Sequence, residues 1–237
     1  MQKQHIRSAA LLGEGGMQRL FFSTVAVFGV GGVGSYTVEA LARSGIGRLI
    51  LIDADVVDES NINRQLIALH STVGRDKVEV ARERIKDINP DCEVVTYKLF
   101  VTPENLYKID LSGVDYIVDA VDSVPAKLAL AEYSTNHGVA LISSMGTGNK
   151  LDPSALTVSD ISKTTVCPLA RSMRVKLRKM GIHHLKVVYS TELPVEVEGE
   201  LCEQNGGTRR APASCSFVPS AAGLLIASVV IRDISGK

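Results

Sequence analysis

The chain is short of several things, and each shortage closes off a class of function. It has no net charge: 26 Lys and Arg stand against 26 Asp and Glu in 237 residues. A balanced chain offers no overall field to a nucleic acid or an anionic membrane, so any polyanionic partner must be sought in local clusters. Cysteine is sparse and scattered. Cys92, Cys167, Cys202 and Cys215 form no C-x-x-C pair, which leaves neither a zinc knuckle nor a dithiol redox couple, and single thiols of this kind fit a reducing cytoplasm. There is no internal repeat and no low-complexity tract. The stretch MQKQHIRSAALL at the start is polar and then only briefly apolar, unlike the pattern of a secretory signal. The most apolar run, Phe217 to Ile231, is interrupted by Pro219, Ser220, Gly223 and Ser228. It falls short of the about 20 residues that span a bilayer, so it reads as a buried helix and not an integral membrane span.

What is present is an alternation of short apolar runs and amphipathic segments. Thr24–Phe28, Arg48–Ile52, Glu93–Tyr97, Tyr116–Ala120 and Val139–Ser143 read as strands, rich in β-branched residues and bounded by polar or glycine positions. Between them, Gly32–Arg43 (with Gly45 as C-cap), Val73–Ile88, Pro103–Lys108 and Ala126–Asn136 read as helices, the second of the four stopped by Asn89-Pro90. Strands alternating with helices predict an α/β, doubly wound, mostly parallel Rossmann-like sheet. After Gly146 the pattern loosens and the chain becomes loop-rich around Glu192–Cys215. A soft boundary near Lys150 divides an expected nucleotide-binding domain, 1–150, from an extension of the same fold, 151–237, for substrate binding and dimerisation.

The densest chemistry lies in VFGVGGVGSYTVEALARSGIGRLILIDAD, Val27 to Asp55. Gly29, Gly31, Gly32 and Gly34 sit between an expected strand and an expected helix, where backbone N–H groups and the helix N-terminus favour phosphate. Asp53, at the end of the second strand, suits a ribose hydroxyl. This pairing indicates a nucleotide but does not separate NAD from ATP. The residues that follow do. A triphosphate carries several negative charges and calls for cations and a divalent metal. Arg64 and Lys77 follow the second strand closely enough to supply the cations. Asp122, just past a strand end in IVDAVDS, suits magnesium, which takes carboxylate and phosphate oxygen together. Taken singly, Arg64 and Lys77 also read as solvated surface charges and Asp122 as a helix N-cap before Ala126; only their joint order favours the site.

That order carries a resemblance. GVGGVG, LIDADVVDESNINRQ, GRDKVEVA, INP and VDAVDS are similar, in order and spacing, to the adenylating E1-like ThiF/MoeB/HesA superfamily over Arg7 to about Gly146. The resemblance implies the ThiF type of fold, ATP and Mg2+ as cofactors, and activation of a carboxylate. It assigns Gly31 and Gly32 to the phosphates, Asp53 to the ribose, Asn61, Arg64 and Lys77 to the triphosphate and Asp122 to the magnesium, with Asp55 and Ser123 joining the nucleotide site. Arg7, in HIRSAALLGEGG, matches an arginine that reaches the γ-phosphate bound by a neighbouring subunit, which implies a homodimer. Arg7, Arg64, Lys77 and Asp122 form the expected catalytic set.

The second half narrows the branch. Members that act on sulfur-carrier proteins usually carry two zinc-binding C-x-x-C pairs, and this sequence has none. Ser143 to Glu192 and the run SFVPSAAGLLIASVVI resemble the tRNA threonylcarbamoyladenosine dehydratase branch, also called TcdA- or CsdL-like. This implies ATP-dependent cyclisation of that modified nucleoside in cytoplasmic tRNA, with a sulfur-transfer protein as a further partner. Independently of the resemblance, residues 163–186 hold Arg171, Arg174, Lys176, Arg178, Lys179 and Lys186 and no acid. On a helix begun by Pro168, Leu169, Met173, Leu177 and Met180 share one face, and Arg171, Arg174 and Arg178 the opposite one. With Lys179, this stripe is the expected tRNA surface, set against the plainer reading of a solvated helix face. Arg209 and Arg210 could extend it. Cys167 and Cys215 read as structural thiols. Three rival functions stay open at this level: an adenylyltransferase acting on the carboxylate tail of a ubiquitin-like sulfur carrier; an NAD-dependent oxidoreductase, which would leave Arg64, Lys77 and Asp122 without a role; and a non-catalytic tRNA- or nucleotide-binding module, against which stands the full set of triphosphate contacts.

Overall fold

The computed structural model describes residues 3–197 and 212–237; Arg209 and Arg210 lie outside the described residues. The fold is organised by one sheet. Its central strand β1 (Thr24–Phe28) is buried at every position, as a parallel strand covered on both faces must be. Beside it run β2 (Arg48–Ile52), β3 (Glu93–Tyr97), β4 (Tyr116–Asp119), β5 (Ala140–Ser144), β6 (Leu156–Asp160) and β7 (Lys186–Ser190), in the spatial order β3-β2-β1-β4-β5-β7-β6. All pairings are parallel except β6 with β7. Successive residues face opposite sides of a strand, and the core divides accordingly. Val25, Val27, Leu49, Leu51 and Val118 enter one apolar cluster, and Ala26, Phe28, Ile50, Ile52 and Ile117 enter the other.

The first cluster is covered by α2 (Glu14–Phe22), α3 (Gly34–Arg43), α4 (Lys77–Ile88) and α7 (Phe217–Ser235), the second by α5 (Val124–His137) and α6 (Pro168–Lys179). A first short helix, α1 (Ile6–Leu12), packs on α2. Helix α7 continues four residues beyond the expected run, and with 19 residues it is long and apolar enough to cross a membrane. Its apolarity has another cause. Val218, Ala222, Gly223, Ile226, Val229 and Val230 are buried in the protein, and Thr37 Oγ1 donates to Gly223 O at 3.0 Å. A Cβ at residue 223 would come within 2.3 Å of Val33 O, so glycine there permits a close crossing of α7 over α3.

Several expectations change in detail. Helix α3 begins at Gly34, not Gly32, and its C-cap is Ser44, with Gly45 following at φ +87°. Helix α4 begins at Lys77, because residues 70–76 form a 3-10 turn and a connection held by Val57 N donating to Arg75 O. The expected helix at 103–108 is a 3-10 turn, Leu106–Lys108. Helices α1 and α2 and strands β6 and β7 were not expected. The chain beyond 150 adds two strands to the same sheet and returns through α7 to cover its first half, so the described residues on the two sides of 150 share one core.

Candidate active site

The carboxyl ends of β1, β2 and β4 meet at the glycine loop. Gly29 N donates to Ile52 O and Ala120 N to Phe28 O, both at 2.8 Å, so the ladder continues one step past each strand. Gly29 has φ +88°, and a Cβ on it would lie 2.7 Å from Ala120 O. A Cβ at Gly34 would lie 1.8 Å from Gly29 O. These two glycines are required by the turn and by helix–strand packing. Gly31 is different, since a Cβ there would meet nothing closer than Gln65 Nε2 at 3.7 Å. At Gly32 it would meet Pro219 Cβ at 3.3 Å and Arg64 Cγ at 3.6 Å. The middle of the loop is therefore open, with the stem of Arg64 beside it. Val33, the N-cap of α3, makes no side-chain cap, and Ser35 N turns back to Gly31 O at 3.0 Å; Gly34 N and Tyr36 N, without a partner among the described residues, are left for an anion.

Asp53 holds the loop from below. Its Oδ2 accepts from Val30 N at 2.7 Å and its Oδ1 from Asp55 N at 2.9 Å. Burial raises its pKa above the ordinary carboxylate value, although Lys77 and the two N–H donors oppose the rise. Each oxygen retains a lone pair for a ribose hydroxyl. Lys77 is buried at the first residue of α4, with Nζ 2.7 Å from Asp55 Oδ2. Both burial and the helix dipole disfavour a cation there, so Asp55 serves as its counter-ion.

Arg64 is half-buried and donates from Nη1 to Ser60 O at 2.8 Å and Asn63 Oδ1 at 2.9 Å, leaving Nε and Nη2 without a partner among the described residues. Asn61 is buried and committed to its own turn: Oδ1 accepts from Asp58 N at 3.3 Å and Nδ2 reaches Ser60 Oγ at 3.5 Å. Asp122 is exposed, and the N-cap of α5 is its neighbour Ser123, which accepts from Ala126 N at 3.5 Å. The capping alternative for Asp122 therefore falls to Ser123, whose hydroxyl is then partly occupied. No group of three or more His, Cys, Asp or Glu gathers for a metal among the described residues. A single carboxylate at a strand end, without a partner among the described residues, still suits magnesium, which draws its remaining ligands from phosphate and water.

Arg7 is not brought to this loop. His5, two residues earlier, packs on Phe21 and lies 3.2 Å from where a Gly45 Cβ would be, at the opposite, amino-terminal edge of the sheet. On α6, Met173 and Leu177 are buried as expected, Leu169 is half-buried and Met180 is exposed. Arg171, Lys176, Arg178 and Lys179 face solvent, whereas Arg174 turns aside, its Nη1 donating to Thr164 O at 2.9 Å and Thr164 Oγ1 at 2.6 Å. It stitches the loop before the helix and is only partly available to a ligand. Cys167 is buried, and Cys215 is exposed beside Ser214, whose carbonyl accepts from Asn63 Nδ2 at 2.9 Å.

Two groups escaped the sequence reading. Gln65 packs beneath Gly31. Lys127, fully buried, donates to both oxygens of Asp119 at 3.0 Å and to Ser144 O at 2.7 Å, while Ser143 Oγ donates to Asp119 Oδ2 at 2.5 Å. This network ties the ends of β4 and β5 to α5, three residues before Asp122. The signal for it was a lone lysine inside the apolar stretch VPAKLALA.

The sequence matches the ThiF family over residues 3–237. It is 44% identical to the tRNA threonylcarbamoyladenosine dehydratase of Bacillus subtilis, over 99% of this chain and 95% of that protein. It is 36% identical to the Escherichia coli enzyme of the same name, over 80% and 77%. The crystal structure of the E. coli dehydratase in complex with ATP superimposes with a TM-score of 0.88 at 35% identity, covering 99% of this chain and 94% of that one. The fold, the glycine loop with its flanking charges, and this likeness along the whole length lead to one conclusion: the chain belongs to the ThiF family.

Proposed function

We propose that this protein is an ATP-dependent dehydratase that cyclises the threonylcarbamoyl group of threonylcarbamoyladenosine in cytoplasmic tRNA. The observation that carries the reading is the open centre of the glycine loop with Arg64 at its side, in a chain alike over nearly its full length to a dehydratase of that name. The residues divide the work by position. N–H groups around Gly31 and Gly32 and the free nitrogens of Arg64 meet phosphate oxygens. Lys77, released in part from Asp55, adds a second cation, and Asp53 holds the ribose. Asp122 would hold Mg2+ against the phosphates, and the ion when bound supplies charge neutralisation. Arg171, Arg178 and Lys179 on α6 take tRNA phosphates.

In this reading the threonylcarbamoyl carboxylate attacks a phosphorus of ATP and expels the phosphate leaving group. A nucleophile of the same modified group then attacks the activated carbonyl, expels the phosphate-bearing oxygen and closes the ring. The net change is loss of one water from the nucleoside at the expense of a phosphoanhydride bond. Because the second nucleophile is already tethered, no catalytic cysteine is needed, and the protein contributes positioning and charge stabilisation. A homodimer completes the site: Arg7 lies at the far edge of its own sheet, so it would serve the phosphates of a second copy.

The test is nucleoside mass spectrometry. Incubating threonylcarbamoyladenosine-containing tRNA with the protein, ATP and magnesium should lower the mass of that nucleoside by one water. An unchanged nucleoside, with protein that binds ATP, would refute the reading. The sulfur-carrier alternative predicts pyrophosphate exchange driven by a ubiquitin-fold protein and indifferent to tRNA.

A further inference from the structure

Gln65 occupies a place that the fold does not explain. Its backbone is fully engaged: Gln65 N donates to Asn61 O at 2.9 Å and Ala68 N to Gln65 O at 3.0 Å. The residue is only 7% exposed, and its Oε1 is buried with no hydrogen-bond partner among the described residues. The neighbouring donors are committed elsewhere. Val30 N serves Asp53, Leu66 N serves Ser35 Oγ, and Arg64 Nη1 serves Ser60 and Asn63. An unpaired buried acceptor is a net cost to folding, and an apolar side chain of the same shape would remove it. Methionine would fill the same volume, so packing does not call for an amide.

The other end of the amide supplies the reason. Gln65 Nε2 and Cδ are the atoms nearest to Gly31, 3.7 and 4.0 Å from where a Cβ would be, and among the described residues Nε2 donates to nothing. The donor therefore lies against the open centre of the loop, where the uncapped start of α3 already favours an anion. Orienting Nε2 toward that space leaves Oε1 turned into the core without a partner. We propose that Gln65 is a nucleotide-contacting residue whose Nε2–H donates to a phosphate oxygen seated over Gly31. The inference rests on the ATP-binding reading above and adds to it a neutral donor beside the two cations. It also accounts for the glycine at 31: any larger residue would stand between the amide and its ligand.

The experiment compares wild-type protein with Q65M, titrating ATP with magnesium and, separately, adenosine by calorimetry. Q65M should melt at the same temperature or higher. Its ATP affinity should fall about tenfold, the worth of one charge-assisted hydrogen bond, while adenosine affinity stays at the wild-type value. Unchanged ATP affinity in Q65M would overturn the proposal alone, and so would a lower melting temperature with intact ATP affinity, which is the signature of a packing role. A wild-type protein that binds no ATP would overturn this proposal together with the function it rests on. Should Q65M fail to fold, the wild-type Gln65 side-chain amide resonance decides. A shift with ATP but not adenosine supports the contact, and a resonance indifferent to both refutes it.

Discussion

At the scale of single residues, the four glycines of the loop separate by what a methyl group would strike. Gly34→Ala drives a Cβ into Gly29 O, where the unsubstituted geometry allows 1.8 Å. Neither backbone segment can retreat without breaking β1 from α3. We expect a loss of more than about 2 kcal/mol, or failure to fold. Gly31→Ala has ordinary contacts and should hold stability within about 0.5 kcal/mol while weakening ATP binding. Urea unfolding and nucleotide titration of the two variants check both outcomes. His5 makes a second residue-scale prediction. Burial holds its imidazole below the ordinary value, and Nδ1 has no partner among the described residues. The unfolded chain thus takes up a proton before the folded one. Stability is complete above about pH 6.5 and falls as pH drops below it, by at most about 1.4 kcal/mol per pH unit. Unfolding at pH 7.5 and 5.5 should show this slope, and His5→Phe should flatten it. The glycines, Asp53, Arg64, Lys77 and Asp122 are legible in the sequence as site candidates because their spacing follows the strand ends. The sequence does not disclose which glycine is steric and which is open, since that depends on Ala120, Pro219 and Gln65 arriving from elsewhere in the chain.

At the scale of elements, β1, β2 and β3 were legible to the residue because each is a short apolar run between polar turns. Strand β7 was missed although KVVYS is β-branched and aromatic, since its neighbours offered no alternating pattern. Strand β6 is half-buried at all five positions and lies at the sheet edge, where one-sided burial blurs periodicity. The buried pair of Lys127 and Asp119 belongs to this scale because it joins β4, β5 and α5. Lys127→Met strands a buried carboxylate and should cost about 3–5 kcal/mol. Adding Asp119→Asn should restore a large part of that loss. Thermal denaturation of the single and double variants tests the coupling, and additive losses would show that the two groups are independent. On α6 the inward face is legible at Met173 and Leu177, while Arg174's bond to Thr164 depends on a loop whose path no helical periodicity predicts.

At the scale of the whole molecule, the position of Arg7 carries a test of assembly. If Arg7 serves a second copy, Arg7→Ala and Arg64→Ala should each abolish dehydration alone. Mixed and re-equilibrated, half the dimers become heterodimers with one intact site each, so about a quarter of wild-type activity should return. No recovery would place both arginines in one subunit's site or leave Arg7 without a role. The fold also dictates an order of events. All the strands that bear the loop and its charges precede residue 150, but α7 lies over α3 through a contact 186 residues from Thr37. A growing chain therefore completes its sheet centre long before the shield for one side of it exists. Newly made protein must pass through a stage in which that oily flank is bare and α3 unsteady. A nascent chain stalled short of residue 217 should accordingly be held by chaperones and be blind to nucleotide.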